Sequence, residues 1–145
     1  MLKVGLIEMK NRILYRWLET KYYLCTITQE EMGINKLKVV LTEEAQAFLD
    51  AQPFKAQQKI YYNIFKVEEG VMKVDIFKKL ENTEIWEFRT LYNGICYRLF
   101  SFWDTEEETL VIATHGIVKK TQKTPLKEIT KAEEIRKEYF NNKNK

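Results

Sequence analysis

From Lys36 onward the apolar positions fall into alternating and helical runs separated by turn residues, and these runs define the expected elements. Leu37, Val39, Val40 and Leu41 make a short β-rich run. Thr42 follows as a good N-cap, with Glu43 and Glu44 in the first turn of a helix that carries Ala45, Phe48 and Leu49 on one face. That helix stops near Pro53, because the residue before a proline is pushed out of the helical region. A second helix runs from about Phe54 to Glu69, with Ile60, Tyr61, Ile64, Phe65 and Val67 at helical spacing and Gly70 as its terminator.

Val71 to Asn82 reads as a connecting segment, after which the period becomes two. Ile85 to Thr90 alternates, with Trp86 and Phe88 on one face and Glu87 and Arg89 on the other. Ile95 to Trp103 follows, then a loop over Asp104 to Glu108, then a strand from Thr109 to about His115. This is a three-stranded meander, which the strand at Leu37 joins as a fourth. A last helix is capped at Thr124, has Pro125 at its first position, and places Leu126, Ile129, Ala132, Ile135 and Tyr139 along one face. The order β-α-α-β-β-β-α specifies an α+β domain.

One dipeptide fixes a register. Asn93-Gly94 is the preferred pair for a two-residue type I′ turn, so Tyr92 faces Ile95 and Arg89 lies directly opposite Arg98. Facing like charges, about 5 Å apart at Cβ, destabilise a strand pair. Something negative belongs between them. Glu87, diagonal to Arg98, is one candidate and a bound phosphate is the other; the first gives a structural reading and the second a functional one.

The first 31 residues do not continue this pattern. Leu14, Trp17, Leu18, Tyr22 and Leu24 give a short amphipathic stripe, which fits either an additional helix or a translated leader ahead of a domain spanning 32–145 that starts at Met32. A hydrophobic fraction of 45% with 13% aromatics is enough for one core, to which Trp86, Phe88, Phe100 and Phe102 are assigned. The net charge of +3 does not announce a nucleic-acid binder, but nine Lys or Arg against four Glu follow from His115 onward, so basicity gathers where the last strand meets the last helix. Cys25 and Cys96 sit in unrelated contexts, which argues for reduced thiols rather than a disulfide or a zinc site. No run approaches the roughly 18 apolar residues of a membrane span. A cytoplasmic chain without membrane attachment is the expectation.

Candidate chemistry follows by elimination. His115 is the one histidine, with no partner at metal-ligand spacing and no Ser or Cys pairing of a nucleophilic triad, and the five glycines form no phosphate loop. Cations remain: Arg89, Arg98, His115, Lys119, Lys120 and Lys123. Arginine forks hold phosphate oxygens at two points, and a lysine or histidine with a shifted pKa also exchanges protons. Cutting RNA without a metal needs only that: removal of the 2′-hydroxyl proton, stabilisation of charge on the phosphate, and protonation of the departing 5′ oxygen. For the three lysines a solvated basic loop remains an equal alternative, and a histidine at a strand end such as His115 is more often a structural hydrogen-bonding residue.

At these residues the sequence resembles the RelE/ParE superfamily of small toxins, in its HigB-like, phage-related branch. The resembling segments are IWEFR from Ile85, YNGICYRLFSF from Tyr92 and THGIVKKTQKTP from Thr114, the last combining a strand end, a His-Gly turn, paired lysines and a helix start. FKKL from Phe77 and KAEEIRKEYF from Lys131 add to a match over residues 36–140. The resemblance implies a RelE-like fold, a small antiparallel-rich sheet packed on helices. It also implies the toxin of a type II toxin–antitoxin pair, which enters the ribosomal A site and cuts mRNA there without a metal or other cofactor. Carried over by position, Arg89, Lys119, Lys120 and His115 form the catalytic set, and Arg98, Lys123, Lys78 and Lys79 bind substrate. The implied partners are the ribosome, its mRNA and a cognate antitoxin of the helix-turn-helix kind. No tyrosine follows the lysine loop closely, where some relatives have one; Tyr139 lies in the last helix. A non-catalytic module of the same fold, ParE-like in its protein target or a decayed phage remnant, is the alternative.

Overall fold

Thr42 caps its helix and ties it to the sheet at once. In the computed structural model, which describes residues 37–106, 110–119 and 123–145, its hydroxyl accepts from the Ala45 backbone N–H at 3.1 Å and donates to the Thr114 carbonyl at 2.7 Å. The N-terminal stripe, the start at Met32, Cys25 and Lys120 lie outside the described residues. Strand β1 (Lys38–Leu41) precedes the cap, and helices α1 (Glu43–Asp50) and α2 (Phe54–Glu68) follow it, separated at Pro53 as expected. Then come β2 (Phe77–Lys79), β3 (Trp86–Tyr92), β4 (Ile95–Trp103), β5 (Leu110–Lys119) and α3 (Leu126–Lys143).

The strands form one sheet in the order β1-β5-β4-β3-β2, with β1 parallel to β5 and every other pair antiparallel. The fold is therefore α+β, and antiparallel-rich as expected. β2 was not foreseen: three residues are too few for a period to register, yet Phe77 pairs with Phe88 and stacks on Trp86 at 4.8 Å. β5 is longer than expected, running past His115 to Lys119. His115-Gly116 is thus no turn but mid-strand. Gly116 is required there because a Cβ would lie 2.1 Å from Cδ1 of the Phe48 ring on α1.

Each sheet face has its own core. Val39, Leu41, Phe77, Phe88, Tyr97, Leu99, Val111 and Ala113 pack against α1 and α2 through Ala45, Leu49, Ile60, Ile64 and Val67. On the other face Val40, Phe100, Phe102 and Ile112 meet Ala132, Ile135, Tyr139 and Phe140 of α3. Burying such side chains stabilises by about 1.5–3 kcal/mol each before chain entropy is counted. The start of α3 departs from expectation: Pro125, not Thr124, is the N-cap, and Leu126 is 77% exposed instead of lying on the packed face.

α3 is fastened at its C-terminal end by Asp104, a fully buried carboxylate that accepts from the Tyr139 hydroxyl at 2.7 Å and from Lys143 Nζ at 2.6 Å. Burial pushes the Asp104 carboxyl up, but these two hydrogen bonds and one from the Glu106 backbone N–H outweigh it and leave the value lowered. Tyr139 is thereby committed to structure. With its C-terminal half fixed across β4, α3 does not extend over the far end of the same face, beyond Thr124, and no other described helix does.

Candidate functional site

The Asn93-Gly94 turn adopts the expected geometry, with φ of 49° and 76°, and Tyr92 pairs with Ile95 and Arg89 with Arg98. Alternation from that register places Glu87, Arg89, Cys96, Arg98 and Lys119 on the α3 face, since Cys96 pairs with Lys119 and Glu87 with Phe100. Three cations of the expected set thus meet on one face.

Glu87 is the anion between the two arginines. Its Oε1 lies 3.3 Å from Arg89 Nε and 3.5 Å from Arg98 Nε. Both are ion pairs rather than hydrogen bonds, because the two Nε–H groups are buried but poorly aligned with the carboxylate. The second oxygen, Oε2, accepts from the Thr124 hydroxyl at 3.1 Å, and that hydroxyl in turn accepts from Lys119 Nζ at 3.5 Å. Thr124, expected as a helix cap, instead links the entry to α3 with the charged face. Facing like charges cost up to about 1 kcal/mol. Stripping the partner from a buried charge costs about 3–5 kcal/mol, so Glu87 is what makes this register tolerable.

Burial grades the group. The Glu87 side chain is 3% exposed and Arg98 9%, whereas Arg89 is 28% exposed. Arg89 Nη1 donates to the Val74 carbonyl at 3.3 Å, and Arg98 Nη1 to the Tyr97 carbonyl at 3.4 Å. Burial pushes the Arg98 guanidinium down, opposed by Glu87 and helped by Arg89, yet an arginine starts so far above neutrality that it stays charged. Burial lowers Lys119 as well, and Arg98 and Arg89 add to the lowering while Glu87 opposes it. A lysine moved toward neutrality is a better proton exchanger.

The remaining candidates divide. Lys123 is exposed and immediately precedes Thr124. Lys78 pairs with Glu87 across β2 and β3, which puts it on the cationic face, but Lys79 pairs with Trp86 and points to the opposite one, where it meets Glu84 at 3.5 Å. The two lysines of FKKL do not line one surface.

His115 is placed differently from an accessible group at a strand end. It sits in mid-strand with its side chain 3% exposed, stacked on Phe100 at 4.9 Å, with Nε2 2.9 Å from Glu128 Oε2 and Nδ1 3.0 Å from the Thr114 hydroxyl. An ionised carboxylate only accepts, so the neutral ring carries its proton on Nε2, and Nδ1 accepts from Thr114. Burial holds the ring below the ordinary imidazole value, against the hydrogen bond to Glu128 and with help from Lys131. Lys131 is itself bound to Glu44 of α1. His115 therefore joins α3 to the sheet. Glu87 and Thr124 were absent from the expected site, although the diagonal placement of Glu87 was legible from the hairpin.

No curated protein matches the chain in sequence. Among solved structures, a chain of the toxin–antitoxin complex RelBE2 from Mycobacterium tuberculosis is similar, with 18% identity and a TM-score of 0.39 over 59% of this chain and all of that one. The family model described as Phage derived protein Gp49-like matches residues 47–137, which include every described cationic candidate. That match spans well over half of the sequence, and the chain belongs to the phage-derived Gp49-like family.

Proposed function

We propose that this chain is the toxin of a type II toxin–antitoxin pair, acting in the cytoplasm on translating ribosomes as an mRNA endoribonuclease that needs no metal. The observation that carries the reading is the convergence of Arg89, Arg98 and Lys119 around the Glu87 carboxylate on the α3 face. Among the described residues, three cations gather there around one anion, an arrangement suited to a phosphodiester. The phage-derived family and the resemblance of the IWEFR, CYRLF and VKKTQKTP segments point the same way.

Arg89, the most accessible of the arginines, binds the scissile phosphate and stabilises the charge that develops on it. Arg98 supplies field from behind. Lys119 takes the proton of the 2′-hydroxyl in its neutral form, and Lys123 or Lys120 delivers one to the departing 5′ oxygen. Lys78 extends the cationic surface along β2. His115 takes no part in the chemistry and acts as a structural clamp. A cognate antitoxin of the helix-turn-helix kind holds the chain inactive.

Expression without the antitoxin should arrest growth, and the double variant Arg89→Ala, Lys119→Ala should abolish the arrest. Full toxicity of that variant would remove both residues from the site. The internal pairing of Glu87 with both arginines favours one other reading, a non-catalytic module that binds a macromolecular target. It predicts growth arrest with the messenger uncut.

A further inference from the structure

One carboxylate links both arginines directly and Lys119 through a hydroxyl. Glu87 Oε1 meets the Nε edges of Arg89 and Arg98, and Oε2 takes the Thr124 hydroxyl, which holds Lys119 Nζ. Each guanidinium meets Glu87 at Nε as an ion pair without a hydrogen bond, and Nη1 of each arginine donates to a backbone carbonyl, at Val74 and at Tyr97. The charge of Glu87 and these backbone bonds together hold the two guanidiniums in place, with Arg89 the more exposed of the pair. Thr124 belongs to the segment entering α3, so the helix, the lysine and both arginines are referred to the same anchor.

We propose that Glu87 is the positioning residue of this face: its charge holds the two guanidiniums by ion pairing and, through the Thr124 hydroxyl, places Lys119 toward the substrate. The inference rests on the reading of the face as an RNA-cleaving surface. Glu87 itself, buried beneath the arginines, touches no substrate. Its charge also acts on the field at Lys119, whose described charged and titratable neighbours include Arg98, Glu87, Arg89 and Cys96. Removing the Glu87 charge leaves two guanidiniums unopposed beside the lysine and moves its titration to lower pH.

The test compares wild type with Glu87→Gln, Thr124→Val and Thr124→Ser in the full-length chain, by two readouts. The first is the titration of Lys119 Nζ by NMR on isotope-labelled protein, which does not depend on activity. Glu87→Gln should move that titration to lower pH. The second is single-turnover mRNA cleavage on programmed ribosomes across a pH series. Glu87→Gln and Thr124→Val should each slow cleavage by about tenfold or more, Glu87→Gln should shift the lysine limb of the profile to lower pH, and Thr124→Ser should restore wild-type behaviour. A Lys119 titration unchanged in Glu87→Gln, or wild-type cleavage by Thr124→Val, would overturn the proposal. Absence of cleavage by the wild type would instead sink the ribonuclease reading, leaving the titration to judge Glu87. If Glu87→Gln does not fold, Thr124→Val and its serine rescue decide the matter.

Discussion

Two residues carry more of this protein than their size suggests. Gly116 lets the Phe48 ring lie against β5, and a Cβ there would sit 2.1 Å from it, far inside van der Waals contact. Gly116→Ala should therefore destabilise by about 1–3 kcal/mol through overpacking. Denaturant unfolding of the single variants and of Gly116→Ala with Phe48→Ala checks this, because truncating the ring should make the glycine substitution nearly neutral. His115 sets a pH dependence. Its folded-state value lies below the ordinary 6.5, so the unfolded chain binds more protons as the pH falls. Stability is then full above that value and lost as the pH drops through the folded-state value. Unfolding midpoints between about pH 8 and about pH 5 should decline in wild type and flatten in His115→Gln.

At the scale of elements, α3 matters most, because it covers one face of the sheet and stops short of the cationic end. Its C-terminal anchor is the buried Asp104 with Tyr139 and Lys143. Tyr139→Phe removes one hydrogen bond to a carboxylate and should lower stability by about 1.5–3 kcal/mol, with RNA cleavage retained. Loss of cleavage in a folded Tyr139→Phe would return that hydroxyl to the site. The hairpin was legible in the sequence because Asn93-Gly94 admits one register, and that register alone brings Arg89 opposite Arg98 with Glu87 diagonal. β2 was not, since Phe77–Lys79 is too short to show a period and is held by pairing with β3. The extension of β5 was missed because a His-Gly pair reads as a turn until Phe48 explains the glycine. Thr124 was misread for a related reason: a threonine before Pro125 looks like a cap, and only the tertiary structure brings Glu87 to its hydroxyl.

For the whole molecule, a net charge of +3 understates what an RNA would meet, because the charge is unevenly placed. Arg89, Arg98, Lys119 and Lys78 lie on one sheet face, whereas Lys131 and Lys143 are bound to carboxylates elsewhere. If about four phosphates are neutralised, the logarithm of single-strand RNA affinity should fall with the logarithm of salt with a slope of about −3. Lys78→Ala should reduce that slope by about 0.7, and Lys79→Ala, on the opposite sheet face, should leave it unchanged. Filter binding across a salt series measures both.

Cleavage of messenger RNA by this face during translation is read out by primer extension on a translated mRNA, after expression of the chain without an antitoxin. Wild type should produce new 5′ ends inside codons, and Arg89→Ala should produce none, with its fold intact by circular dichroism. Growth arrest by wild type with an uncut message, or the same cuts from Arg89→Ala, would contradict it.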